Sequence, residues 1–214
     1  MSKVVLQQVL PEEIEKRSFE IISEELGDRV LDKENEAVIK RVIHTTADFE
    51  YADALCFSEH AVSHAVEVLK QGAVLVTDTR MAFSGVHKPA LEKLHGEIHC
   101  FMSDKDVALA ARKQGTTRAV ASMDKASGLS GNLIFAVGNA PTALIRLYEL
   151  ITEGRISPKL VIGVPVGFVN VVESKELIMS SGVPYIVARG RKGGSNVAAA
   201  IVNALLYQAT GRTL

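Results

Sequence analysis

Cysteine is scarce in this sequence: Cys56 and Cys100 are the only two, and they form no Cys-x-x-Cys pair. The chain therefore offers no disulfide framework, and cysteine usage points to a reducing, cytoplasmic setting. No charge of one sign dominates either, with 24 basic and 25 acidic residues giving a net charge of −1. Without an overall positive field a polyanion such as DNA cannot be held by counterion release, so nucleic acid is not an expected partner. Long hydrophobic runs are also missing. The stretch Leu160 to Val166 is too short to span a bilayer and is interrupted by Gly163 and Pro165. The N-terminus turns polar and charged within a few residues and does not read as an apolar signal core. Internal repeats, linkers and charged tails are absent, so no membrane contact is expected.

What remains is a balanced globular composition, 47% hydrophobic and 23% charged over 214 residues. That length suits one α/β domain spanning 1–214, folding alone or as a homo-oligomer. Pro11 to Gly27 places Ile14, Phe19, Ile22 and Leu26 at helical spacing and ends on glycine, and Lys33 to Ala47 repeats the pattern. Short apolar runs then follow at Ala73 to Thr77, Glu97 to Phe101, Leu133 to Val137, Leu160 to Val164 and Tyr185 to Ala188. Helical patterns occupy Glu59 to Gln71, Asp104 to Gln114, Pro141 to Thr152, Val169 to Ser180 and Asn196 to Gln208. This alternation is that of βαβ units. It predicts a flavodoxin-like three-layer sandwich with a five-stranded parallel sheet, preceded by two N-terminal helices.

Ligands of such sheets bind beyond the carboxyl ends of the strands. Gly138-Asn139-Ala140-Pro141-Thr142 puts Gly at a strand end, Asn at an N-cap and Pro in the first helical turn, leaving backbone N–H groups for an anion. A well-made helix start is the alternative. Arg189-Gly190-Arg191-Lys192-Gly193-Gly194-Ser195 combines three cations with three glycines, so it either clamps carboxylate or phosphate or is a solvated basic loop. It lacks both the mononucleotide and the dinucleotide glycine fingerprints. Phe168, in Pro165-Val166-Gly167-Phe168, either stacks on a flat ligand or staples the next helix.

Two histidine pairs, His60/His64 and His95/His99, have i,i+4 spacing but no completing ligands, so they read as surface or packing residues and no metal site is expected. His44 differs. It ends a helix amid apolar and small neighbours, with Arg41 one turn behind, where the macrodipole favours imidazolium and proton donation near neutral pH. A capping histidine is the equal alternative.

Taken together, Arg17-Ser18-Phe19, Arg41-Val42-Ile43-His44, Thr117-Arg118, Gly138 to Leu144, Pro165 to Val169, Glu173-Ser174-Lys175 and Gly190 to Ser195 resemble the precorrin-8X and cobalt-precorrin-8 methylmutases. These words run in family order over nearly the whole chain. The resemblance implies a homodimeric isomerase of cobalamin biosynthesis that moves a methyl group between adjacent carbons of ring C, giving hydrogenobyrinate or cobyrinate. It implies no external cofactor. His44 maps onto the family's catalytic histidine, which would protonate the macrocycle at or beside ring C.

A flat, carboxylate-rich tetrapyrrole suits the candidate contacts Arg17, Ser18, Arg41, Arg118, Asn139, Phe168, Gly190, Arg191, Gly193, Gly194 and Ser195, with Lys192 as a further cation and Met81 as a further apolar contact. Arg41 could equally be a helix-surface cation. Asp48 or Asp78 is expected to orient His44. The stretch Thr45-Thr46-Ala47-Asp48 is treated as varying between the oxygen-dependent and anaerobic branches, and its ending favours the cobalt substrate. The rival readings are a phosphate- or nucleotide-binding transferase and a non-catalytic tetrapyrrole carrier.

Overall fold

A computed structural model describes residues 8–212. A turn of 3-10 helix at Pro11–Glu13 opens α1 (Ile14–Leu26), and α2 (Glu36–Thr46), α3 (Tyr51–Ala54) and β1 (Leu55–Phe57) follow. Next come α4 (Ala61–Lys70), β2 (Ala73–Thr77), α5 (Arg80–Gly85), α6 (Lys88–Lys93), β3 (Glu97–His99), α7 (Lys105–Gln114) and α8 (Arg118–Ala126). The last third holds β4 (Asn132–Val137), α9 (Pro141–Thr152), β5 (Leu160–Gly163), α10 (Val171–Met179), β6 (Tyr185–Ala188) and α11 (Ser195–Ala209).

The strands form one six-stranded mixed sheet in the order β1-β6-β5-β4-β2-β3. Its five parallel members are the expected strands, and their order is that of a flavodoxin-like doubly wound sheet, with the switch point between β2 and β4. The sixth strand corrects the all-parallel expectation. β1 pairs antiparallel with β6, Leu55 opposite Ala188 and Phe57 opposite Ile186, and is only three residues long.

Alternation along each strand fills two cores. Ile134, Ala136, Leu160, Ile162 and Ile186 face one side, together with Val38, Val42 and Ile43 of α2 and the apolar surface of α11. Leu133, Phe135, Val137, Val161 and Val187 face the other, against Met123 of α8 and Leu144 and Leu147 of α9. Because the sheet is covered on both faces, its strands are apolar on both. α11 is buried on most sides, and its run of alanines lets α2, α4 and α5 pack closely on it.

Two glycines bring the carboxyl ends of the strands against the loop that leads into α11. A Cβ at Gly138 would lie 2.6 Å from the Ser195 Cα and 2.8 Å from the Gly194 carbonyl oxygen, and one at Gly193 would overlap the Val164 carbonyl. Each contact is with backbone, which cannot rotate away. Gly138→Ala should therefore lower unfolding stability by about 1–3 kcal/mol, the usual cost of overpacking, measured by urea denaturation. An unchanged midpoint would show that the loop yields freely.

Candidate active site

The C-terminal turn of α2 and the face of α1 enclose a pocket of about 590 Å³ whose lining includes Arg17, Ser18, Ile21, His44, Ala47 and Phe49. α2 ends in an unusual way: Thr45 and Thr46 donate their hydroxyls back to the carbonyls of Arg41 and Val42. Ala47 then takes a left-handed conformation with φ 52° and donates its N–H to the Ile43 carbonyl. A left-handed alanine costs roughly 1–2 kcal/mol and turns the chain sharply beside His44.

The His44 imidazole stacks on Phe19 with ring centroids 5.2 Å apart and an 18° interplanar angle. Its Nδ1 shares a 2.8 Å hydrogen bond with Ser18 Oγ, leaving Nε2 without a hydrogen-bond partner among the described residues. Although part of the ring reaches solvent, its proton affinity is lowered, first by burial of the remainder and then by the charge of Arg41, with Glu15 opposing. Loss of solvent and a guanidinium one turn away thus act against the imidazolium that the helix end favours.

Neither expected carboxylate orients His44. Asp48 is paired with Lys192 at 2.6 Å, and that ammonium holds its carboxyl below the usual range. Asp78, buried at the end of β2, accepts hydrogen bonds from the backbone N–H groups of Gly138, Asn139 and Ala140 at 2.8–2.9 Å. Burial pushes its carboxyl up, against the pull of those three donors. The helix start that the sequence offered to an external anion is thus filled by an internal one. The transferase reading loses its phosphate donors there.

The remaining candidates fall into groups. Arg17 and Ser18 share the pocket with His44. Arg17 is paired with Glu20 and Glu24. Arg41 is 5% exposed and bound to Glu15, so it lies beneath the pocket and is neither a substrate contact nor a surface cation. The Gly190–Ser195 loop is fixed to the pocket's rim because Lys192 also pairs with Glu50 at 2.7 Å. Within that loop the Gly190 carbonyl accepts from Lys175, Gly193 packs against the Val164 carbonyl, and the Ser195 and Thr79 hydroxyls share a 2.8 Å hydrogen bond. Gly194 donates its N–H to the Val164 carbonyl at 2.8 Å. Arg191 extends over the exposed ring of Phe168 at 5.4 Å. Arg118 opens α8 and is exposed, and a hydrogen bond between Thr117 and Thr142 holds that helix start beside the start of α9, where Asn139 is also exposed. Among the described residues, no group of three or more His, Cys, Asp or Glu is placed to hold a metal ion, and no helix is long and apolar enough to cross a membrane.

Lys175 was missed as a site residue. Its ammonium is fully buried and donates to the Gly190 and Lys192 carbonyls at 2.7 and 2.8 Å. The Glu173-Ser174-Lys175 word contains it, but nothing in an amphipathic helix pattern marks a lysine as interior. Phe19, Glu15 and Tyr207 were likewise legible only as packing or surface positions.

The α/β fold thus carries a helix-walled pocket with one imidazole at its edge, and exposed arginines at Arg118 and Arg191 near the carboxyl ends of the strands. The family model for Precorrin-8X methylmutase matches residues 13–208. The chain is 48% identical over 203 residues to cobalt-precorrin-8 methylmutase of Salmonella typhimurium, covering 92% of this chain and 95% of that one. It is 45% identical over 197 residues to the Priestia megaterium cobalt-precorrin-8 methylmutase (92% and 88% covered) and 38% identical over 195 residues to the Pseudomonas aeruginosa precorrin-8X methylmutase (90% and 93% covered). The crystal structure of precorrin-8x methyl mutase from Thermus thermophilus superposes with a TM-score of 0.85 at 38% identity, covering 94% of this chain and all of the other. The chain belongs to the precorrin-8X methylmutase family, and is an isomerase of cobalamin biosynthesis.

The Lys175 clamp gives a pH signature. Burial lowers its pKa from 10.5 to about 8. Between those values the unfolded chain binds the extra proton, so native stability rises with pH. Relative to Lys175→Met, the wild type should gain up to roughly 3 kcal/mol in urea unfolding free energy between about pH 8 and 10.5. A pH-independent difference between the two proteins would show that this ammonium is not desolvated.

Proposed function

We propose that the enzyme moves a methyl group between adjacent carbons of ring C of cobalt-precorrin-8 or precorrin-8X, with His44 as general acid. One observation carries this reading: an imidazole fixed by Ser18 and Phe19, with its second nitrogen unpaired among the described residues, at the edge of a largely apolar pocket. In the proposed step Nε2 delivers a proton to the macrocycle at or beside ring C. The bond from the methyl group to one ring carbon breaks as the bond to its neighbour forms, and the macrocycle then gives up one proton, back to His44, so that substrate, product and enzyme keep the same proton count. Nothing is added or removed overall, so no external cofactor is called for.

Arg17, Arg118 and Arg191 would meet the carboxylates of the substrate, and the exposed Phe168 and Met81 would lie against its flat face. Val166 and Val169 are exposed beside Phe168, which supports a homodimer that covers part of this apolar surface. The relatives at 40% to 48% identity carry the cobalt name, whereas at 36% to 38% both names occur, which favours the cobalt substrate. An assay offering both substrates in parallel separates the two branches.

His44→Ala should retain folding and corrinoid product binding while losing about 10²- to 10⁴-fold in turnover, the range of general acid catalysis. Near-normal turnover would refute the assignment. Arg118→Ala should instead weaken product binding about tenfold or more, as expected for one lost charge-assisted contact, and this is read from the visible spectrum on titration. Unchanged affinity would remove Arg118 from the site.

A further inference from the structure

His44 stands at one end of a ladder of alternating rings and guanidinium groups. Stacked on its imidazole lies Phe19, and the Arg41 guanidinium carbon sits 4.8 Å from the Phe19 centroid and 5.1 Å from the Tyr207 centroid. Arg212 continues the ladder at 4.3 Å from Tyr207. Glu15 bridges the two cations, with one carboxylate oxygen 2.5 Å from Arg41 and the other 2.7 Å from Arg212. One carboxylate thus serves two guanidiniums, which leaves excess positive charge. Arg41 Nε and Nη2 are buried with no hydrogen-bond partner among the described residues, so π faces, not hydrogen bonds, hold most of this group.

We propose that Arg41, itself held by Glu15, is a positioning residue for the proton transfer: through Phe19 it fixes the His44 ring, and its charge sets the field at that ring. The lowered proton affinity of His44 has Arg41 as its second cause after burial, with Glu15 acting the other way. Other charges face the ring less directly. Arg17 and Glu25 of α1 line the same pocket, and beyond Ala47 the Lys192 ammonium is paired with both Asp48 at 2.6 Å and Glu50 at 2.7 Å. The catalytic meaning of this inference rests on His44 being the acid, whereas the coupling itself does not.

The test is the titration midpoint of the His44 imidazole, followed by NMR on histidine-labelled protein, together with the pH dependence of turnover. Arg41→Gln should raise the midpoint by about half a pH unit or more, because a like charge is removed. Glu15→Gln should lower it, and Arg41→Lys, which restores the charge, should return it towards the wild-type value. A purely structural role would not give shifts of opposite sign. An unmoved midpoint in folded Arg41→Gln, or a shift of the same sign in both charge-removing variants, overturns the inference. If Arg41→Gln fails to fold, the Glu15→Gln shift decides alone, a fall supporting the coupling and no fall overturning it. A midpoint that moves while the pH dependence of turnover does not would leave the coupling standing and overturn His44 as the acid.

Discussion

Three backbone N–H groups of the β4–α9 turn converge on the buried carboxylate of Asp78, and this contact closes the sheet at its switch point. In a doubly wound sheet the crevice at that point ordinarily receives the ligand. Here it is filled from within. Gly138 can then lie against the backbone of Ser195, and the loop into α11 packs over the strand ends. The open pocket is displaced to the helical layer, between α1 and the end of α2, with the loops of the carboxyl edge as its surroundings.

A second buried charge obeys the same logic with the opposite sign. Lys175 has no carboxylate partner among the described residues and is solvated by the carbonyls of Gly190 and Lys192, as Asp78 is solvated by amides. An unpaired charge in the interior survives only when such dipoles replace water. In both cases the dipoles belong to a loop, so the ion fixes that loop's course. The Lys175 clamp sets the Gly190–Ser195 backbone, and Lys192 then reaches Asp48 and Glu50, next to the turn that carries His44. The turn that follows the imidazole is thereby tied, at Asp48, to a loop residue 144 positions further along the chain.

Sequence periodicity located the parallel strands well, because each is an apolar run bounded by turn residues. It did not reveal β1, whose three residues are too few to show a period, or α3, α5, α6 and α8, which are short or carry small residues in place of a clear apolar stripe. His44 was legible from its helix-end position, with a capping role as the equal alternative, and Ser18 only through resemblance to a family. Their hydrogen bond spans 26 positions, and no local pattern encodes it. The same is true of Arg41 and Glu15 and of Asp78 and Gly138, where each partner alone looks like a surface charge or a helix start. The electrostatic setting of His44 is hidden for a related reason. A macrodipole can be read from position in a helix, whereas burial and a neighbouring guanidinium cannot.

That setting bears on how the proposed acid would work. A histidine whose proton affinity is lowered by burial and by Arg41 holds its proton weakly, and a weakly held proton is the one a general acid transfers most readily. The difficulty is that less of the free enzyme carries that proton near neutral pH. A carboxylate-rich ligand resolves this, because negative charge brought close to the ring favours imidazolium. Proton affinity and ligand affinity then rise together, as linkage requires. The enzyme would take up its acidic proton as the anionic macrocycle arrives, and Arg41 would keep that proton loosely bound at the moment of transfer.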